Sequence, residues 1–326
     1  MYETRHPIVL WFLFLPARRV FGCHQSEWFF GSSEILTAPS LPKGGLRGGR
    51  SGFQQFRLLK GDFFVKIIKY MIRLKTPEQI KILAEGGNIL SEILAELAKA
   101  VKSGVVTLDL EKMARRLIKE AGGEASFLNY KPHGGRPYPA ALCTSINEAV
   151  VHTPATLWQE ILPGDIVSLD LGLWYKGLCT DAATTVMVLP VDKKAIELAA
   201  VTKKSLEAAI KECEAGAPIS AIGKKIQGLV EAAGFSVIRD LVGHGVGLDV
   251  HEDPMVPNYY DQAYDKIILK EGMVIAIEPM TALGGAKIEL DDDGFTYRTK
   301  DLSVAAHFEA TVAITKNGPL ILTPII

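Results

Sequence analysis

Cysteine is scarce in this chain. Four occur among 326 residues, Cys23, Cys143, Cys179 and Cys213, and no two form a C-x-x-C pair. That excludes a zinc ribbon and a disulfide framework, and it fits a reducing, cytoplasmic setting. An excess of either charge is also lacking: 36 Lys and Arg face 37 Asp and Glu, for a formal charge of −1. Nothing here draws the chain toward nucleic acid or an anionic membrane. Long apolar runs are missing too. Residues 8–15 (IVLWFLFL) fall far short of the roughly 18–20 residues that span a bilayer. Glu3 before that run and Pro16, Arg18 and Arg19 after it make a poor signal peptide.

What is present divides the chain in two. Residues 38–54 (APSLPKGGLRGGRSGFQ) are rich in Pro, Gly and Arg and have little to build a core from. At Met71 the text changes to MIRLKTPEQIKIL, which reads as the beginning of a protein. The expectation is a non-native or disordered extension over 1–70 and one folded domain over 71–326.

In that domain Thr76-Pro77-Glu78-Gln79 reads as a helix start, with Thr76 as cap, Pro77 at the first position and Gln79 closing a capping box. Ile80, Leu83, Leu90, Leu94, Leu97 and Val101 then recur at helical spacing. Further helices are expected over about 107–121, 192–214 and 220–233. Residues 104–123 and 216–235 align without gaps at an offset of 112, with Gly104/Gly216, Lys112/Lys224, Leu117/Leu229, Ala121/Ala233 and Gly122/Gly234 identical. This points to an internal duplication: two halves of helices and strands, packed face to face, with a site between them.

Strand patterns cover 166–173, 180–189, 273–278, 306–315 and 320–322. The fold class expected is α+β, with a mixed, mainly antiparallel sheet. Four acids interrupt these apolar runs: Asp170, Asp181, Glu278 and Glu309. A hairpin turning at Tyr175-Lys176 would set Asp170 and Asp181 roughly opposite each other. Like charges directly opposite on a sheet are destabilising, and ionised carboxylates are rarely buried without a partner. No basic residue sits in those strand cores. Two divalent cations would balance four carboxylates, and one neutral imidazole would add a ligand without charge. Such a donor set suits Mn²⁺, Fe²⁺, Co²⁺ or Zn²⁺.

The histidines lie in LVGHGVGLDVHEDP (241–254), where His244 and His251 are seven residues apart among glycines. Together with LDLG and an Asp eleven residues on, IEPM and HFEAT, this order of motifs resembles the methionine aminopeptidase family of the pita-bread superfamily, over Met71 to about Ile326. The resemblance implies a pita-bread fold. It also implies two divalent metal ions held by Asp170, Asp181, His244, Glu278 and Glu309, and removal of methionine from nascent polypeptide N-termini, in the cytoplasm at the ribosome, by a monomer. It implies that Glu278 also shuttles a proton, and that His152, in SINEAVVH, bonds the substrate near its amino end. His251 would contact the peptide carbonyl and stabilise the tetrahedral intermediate. The glycines around His244 would let the backbone pass close to the metals. Tyr138, Cys143 and Phe295 match side-chain pocket positions. The match is looser there: Phe295 stands where many members have Trp, Val250 where many have Phe, and Ala310 where a His is frequent. Residues 131–137 (KPHGGRP) read as an insertion in the pocket loop.

Two other readings compete. An Xaa-Pro aminopeptidase shares the five ligands, and GHGVGLDVHE is close to its wording, but IEPM, HFEATVAIT and SINEAVVH favour the methionine type. An inactive pita-bread binding module would have lost ligands, and all five are present.

Overall fold

The computed structural model describes residues 72–131, 135–156 and 158–326. The extension expected over 1–70 and the centre of the 131–137 insertion lie outside the described residues.

Helix α1 (Pro77–Ala100) begins as its sequence dictates. The Thr76 hydroxyl accepts from the Gln79 N–H at 3.3 Å, and the Thr76 N–H donates to Gln79 Oε1 at 2.9 Å. Leu83, Leu90, Leu94 and Leu97 form its buried stripe. Helix α2 (Thr107–Glu120) buries Leu110, Ala114 and Ile118, and also Glu111. The Glu111 carboxylate accepts from the backbone N–H groups of Ala141 (2.8 Å) and Leu142 (2.9 Å). It thereby ties the helix to the strand that carries Cys143. Helix α3 (Lys193–Ile210) is capped by Asp192, and α4 (Ser220–Ala232) follows. Helix α3 stops four residues short of the expected end. The Cys213 N–H donates to Ile210 O, and Gly216, at φ 96°, turns the chain so that its N–H reaches Leu269 O. No helix among the described residues is long and apolar enough to cross a membrane.

One nine-stranded antiparallel sheet carries Asp170, Asp181, His244 and Glu309. In chain order its strands are β1 (Glu124–Ala125), β2 (Leu142–Ile146), β3 (Ile166–Tyr175), β4 (Leu178–Met187), β5 (Gly243–Gly245), β6 (Glu252–Val256), β7 (Val274–Ile277), β8 (Glu309–Thr315) and β9 (Gly318–Ile321). Across the sheet they run β1-β3-β4-β8-β7-β5-β6, with β2 paired to β3 and β9 to β8. One apolar cluster joins α1 and α2 to β2, β3 and β4; another joins α3 and α4 to β7 and β8. Each helix pair thus covers its own part of the sheet, the arrangement expected of a duplicated chain.

Two expectations about the strands are corrected. The hairpin between β3 and β4 turns at Lys176 (φ 49°) and Gly177 (φ 77°), not at Tyr175-Lys176. Two successive left-handed residues make the primed two-residue turn that matches strand twist. The register therefore pairs Asp170 with Ala183 and Gly172 with Asp181. The two aspartates are diagonal neighbours on one face, which relieves the direct opposition. The 306–315 strand is also broken. Ala305–His307 pairs with Met280–Ala282 in a separate sheet, while Glu309–Thr315 joins the large one. Between them Phe308 donates its N–H to Pro279 O at 3.4 Å. Glu278 and Glu309 therefore flank the two points where chain passes from one sheet to the other.

Candidate metal centre

Five of the residues singled out in the sequence converge on one pocket, which they line together with Phe127, Tyr138 and Cys143. Asp170 comes from the middle of β3, Asp181 from β4, His244 from the centre of β5, Glu278 from just beyond β7, and Glu309 from the start of β8. All five are buried. Asp181, His244 and Glu309 each offer one ligand atom, and these atoms lie within 4.8 Å of one another. His244 Nε2 stands 3.7 Å from Glu278 Oε1, beyond a good hydrogen bond.

The local backbone explains how a histidine reaches this point. A Cβ on Gly243 would sit 2.4 Å from Ala276 O, and one on Gly245 would sit 2.3 Å from Asp253 O. The flanking glycines let β5 nest between β6 and β7. Their close approach in the structure is to the neighbouring strands. The His244 ring is also fixed: Nδ1 donates to Gly245 O at 2.9 Å. A carbonyl only accepts, so Nδ1 carries the proton and Nε2 presents its lone pair to the cavity.

The charge balance is strained without a cation. Asp170 Oδ1, Glu278 Oε1 and Glu309 Oε1 are buried and have no hydrogen-bond partner among the described residues. Burial, and for the other three also the neighbouring carboxylates, raises all four acids, Asp170 to about 7 and Asp181, Glu278 and Glu309 well above the usual range. No Lys or Arg lies among the described residues lining the cavity. Buried carboxylates with orphaned oxygens, beside an imidazole lone pair, fit divalent cations by donor type and by charge.

His152 and His251 line the same cavity. His152 has φ 63°, a left-handed conformation uncommon outside glycine, and its ring meets Tyr297 edge-on at 5.8 Å. Burial, reinforced by His307 and His244, lowers it to about 3. Burial and the imidazoles of His244 and His152 likewise hold His251 well below its ordinary value. Both are neutral at physiological pH. The His251 ring centre is 4.4 Å from that of His244, and its Nδ1 lies 2.8 Å from the Tyr130 hydroxyl.

Cys143 and Tyr138 stand in the cavity wall beside Phe127, with the Tyr138 hydroxyl donating to Cys143 Sγ at 3.0 Å. Phe295 does not line the cavity. It packs edge-on against Tyr138 at 5.6 Å, one layer back, with the Arg136 guanidinium 4.7 Å from its ring centre. Val250 belongs to the same buried apolar cluster.

Several neighbours escaped the sequence reading. The Thr311 hydroxyl donates to Asp181 O at 2.7 Å and accepts the Asp181 N–H at 3.0 Å. The ladder between β4 and β8 reaches only Ala182 and Ala183, so this side chain secures the Asp181 backbone beyond it. Asn258 donates to Glu278 O at 2.9 Å, and His307 Nε2 lies 3.8 Å from Glu278 Oε2. Tyr130 had no motif to mark it. His307 did carry one, as the first letter of HFEAT.

A family model described as metallopeptidase family M24 matches residues 81–316. The methionine aminopeptidase of Aquifex aeolicus is 43% identical over 254 residues, 77% of this chain and 98% of that protein. Methionine aminopeptidase 1 of Bacillus subtilis is 40% identical over 257 residues, 78% of this chain and 99% of that protein. Among solved structures, methionine aminopeptidase from Thermotoga maritima superposes with a TM-score of 0.73 at 41% identity, covering 78% of this chain and 99% of that one. The prolidase from Pyrococcus horikoshii shares the fold, with a TM-score of 0.63 at 22% identity over 88% of this chain and 72% of that one.

Proposed function

This chain belongs to metallopeptidase family M24, and from that premise we propose that it removes methionine from the N-terminus of polypeptides with a small second residue. The observation that carries the proposal is the set of buried carboxylates with orphaned oxygens facing the His244 lone pair. Asp170, Asp181, His244, Glu278 and Glu309 would hold two divalent ions of the Co, Mn, Fe or Zn kind. When bound, such ions supply a Lewis acid and a water of lowered pKa.

The chain's own groups account for the rest. Glu278 takes and returns a proton at a carboxylate oxygen, a reading supported by Oε1, which has no hydrogen-bond partner among the described residues. His251 donates from Nε2 to the oxygen of the scissile carbonyl. That requires Nδ1 to accept, so the Tyr130 hydroxyl is the donor in the 2.8 Å contact. Burial raises Tyr130, which keeps its proton in place. A neutral donor aimed at developing negative charge, in a site sheltered from water, is a large catalytic contribution. His152, held by its constrained backbone, bonds the substrate near its amino end. Tyr138 and Cys143 face the methionine side chain, with Phe295 backing Tyr138; sulfur–aromatic contact contributes about 0.3–1.5 kcal/mol. The substrates would be nascent chains in the cytoplasm, met by a monomer.

The Xaa-Pro reading is tested by competition. With the same metal loaded, Met-Ala-Ser is expected to be cleaved with a kcat/KM at least tenfold above that of Ala-Pro-Ala. A higher value for the proline peptide would move the assignment to the Xaa-Pro type. Cleavage of neither, with metal bound, would favour the inactive binding module.

A further inference from the structure

Lys75 is one of the most deeply buried cations among the described residues. Its side chain is 1% exposed and that of its partner Glu252 is 2% exposed. Lys75 Nζ donates to Glu252 Oε2 at 2.8 Å and to Arg73 O at 3.1 Å. Arg73 Nε donates to the same carboxylate oxygen at 3.2 Å. The other oxygen, Oε1, accepts the backbone N–H groups of Leu248 and Asp249. One carboxylate therefore gathers four donors from two segments more than 170 residues apart in sequence. The stretch it gathers, 247–251, ends in His251, the residue directly before Glu252.

The neighbouring contacts point the same way. A Cβ on Gly247, at φ 133°, would lie 2.7 Å from Lys75 Cε, so the lysine stem packs directly on the start of this loop. Gly247 O accepts the Cys179 N–H at 2.8 Å, and Gly247 N–H donates to Asp249 O at 3.1 Å. The Lys75 backbone is held separately, its N–H donating to Gly272 O at 2.7 Å. Burial of the ammonium opposes its charge, with Glu252 the main compensation. A buried ion pair is a weak source of stability once desolvation is counted, so its presence asks for another use.

We propose that Lys75 is a positioning residue: through Glu252 it fixes the 247–251 loop and so sets where His251 presents its imidazole to the substrate. Tyr130 holds the ring at Nδ1, and the Lys75–Glu252 pair holds the backbone behind it. The inference rests on the role proposed above for His251.

The test is a double-mutant cycle in the metal-loaded full chain, with Met-Ala-Ser as substrate. Lys75→Met is expected to lower kcat about tenfold with KM changed less than twofold, because a contact made in the transition state is misplaced. Lys75→Arg should recover most of that loss. In a His251→Ala background the same Lys75→Met change should cost less than twofold. The rise in melting temperature on adding Mn²⁺ should match wild type in every variant. An undiminished kcat in Lys75→Met, or an equal loss with and without His251, would overturn the proposal. If His251→Ala itself kept full activity, the reading of His251 would fail and the positioning role with it. Should Lys75→Met not fold, the uncharged pair Lys75→Met/Glu252→Gln carries the same cycle, with the same outcomes.

Discussion

Asp170→Asn or Glu309→Gln is expected to lower kcat by about three orders of magnitude while leaving the chain folded. The Lewis-acid contribution at such a site amounts to several kcal/mol, and each 1.36 kcal/mol is a factor of ten in rate. Both residues supply buried oxygens that lack a protein partner, so their removal breaks no hydrogen bond of those atoms. Stability should move the other way. In the metal-free protein each substitution removes a carboxylate that burial, and for Glu309 also its neighbouring carboxylates, disfavours in its charged form, so the melting temperature rises at pH 8. Metal-free wild type carries a matching pH dependence. Burial raises Asp170 from 3.8 to about 7 in the folded chain. A raised folded value favours the protonated native state, so this contribution is complete below about pH 4 and is lost as pH rises through about 7. Calorimetric melts of metal-free protein at pH 5.5 and pH 8 should show the higher value at the lower pH, with a smaller difference in Asp170→Asn. A variant with full turnover, or a metal-free melt that climbs with pH over this range, would count against the cluster.

His251→Ala should cost about a hundredfold in kcat, the scale seen when one donor to a developing oxyanion is removed. KM should change by less than threefold, because the bond strengthens as charge develops on the carbonyl oxygen. Tyr130→Phe should give a smaller loss in the same direction, since it removes the donor that fixes the His251 tautomer but leaves the ring. Steady-state rates on Met-Ala-Ser separate the two parameters. A loss confined to KM would place His251 in ground-state binding instead.

Much of this arrangement is legible in the sequence. Helix α1 was marked by its capping box and its leucine stripe, both local signals that survive tertiary packing. The candidate metal centre was legible because its chemistry conflicts with its surroundings: acids in apolar strands and histidines among glycines demand a partner. Register was harder. Whether the hairpin turned at 175–176 or 176–177 depended on two residues adopting left-handed backbone, and that moved Asp181 from opposite Asp170 to diagonal. The break at Phe308 was hidden, because an apolar residue between two strand-like runs reads as continuity. Partners contributed by distant segments left no local trace. Thr311 at Asp181, Tyr130 at His251 and Lys75 at Glu252 are joined only by the topology.

Metal uptake by the full chain tests the dinuclear assignment most directly. Mn²⁺ or Co²⁺ titrated into metal-free protein, followed by calorimetry and by thermal melts, should show two sites per chain and a melting temperature that rises with free metal, as binding to the native state alone requires. A chain that takes up no divalent metal, or whose melting temperature is unchanged at saturating Mn²⁺ and Co²⁺, would contradict it.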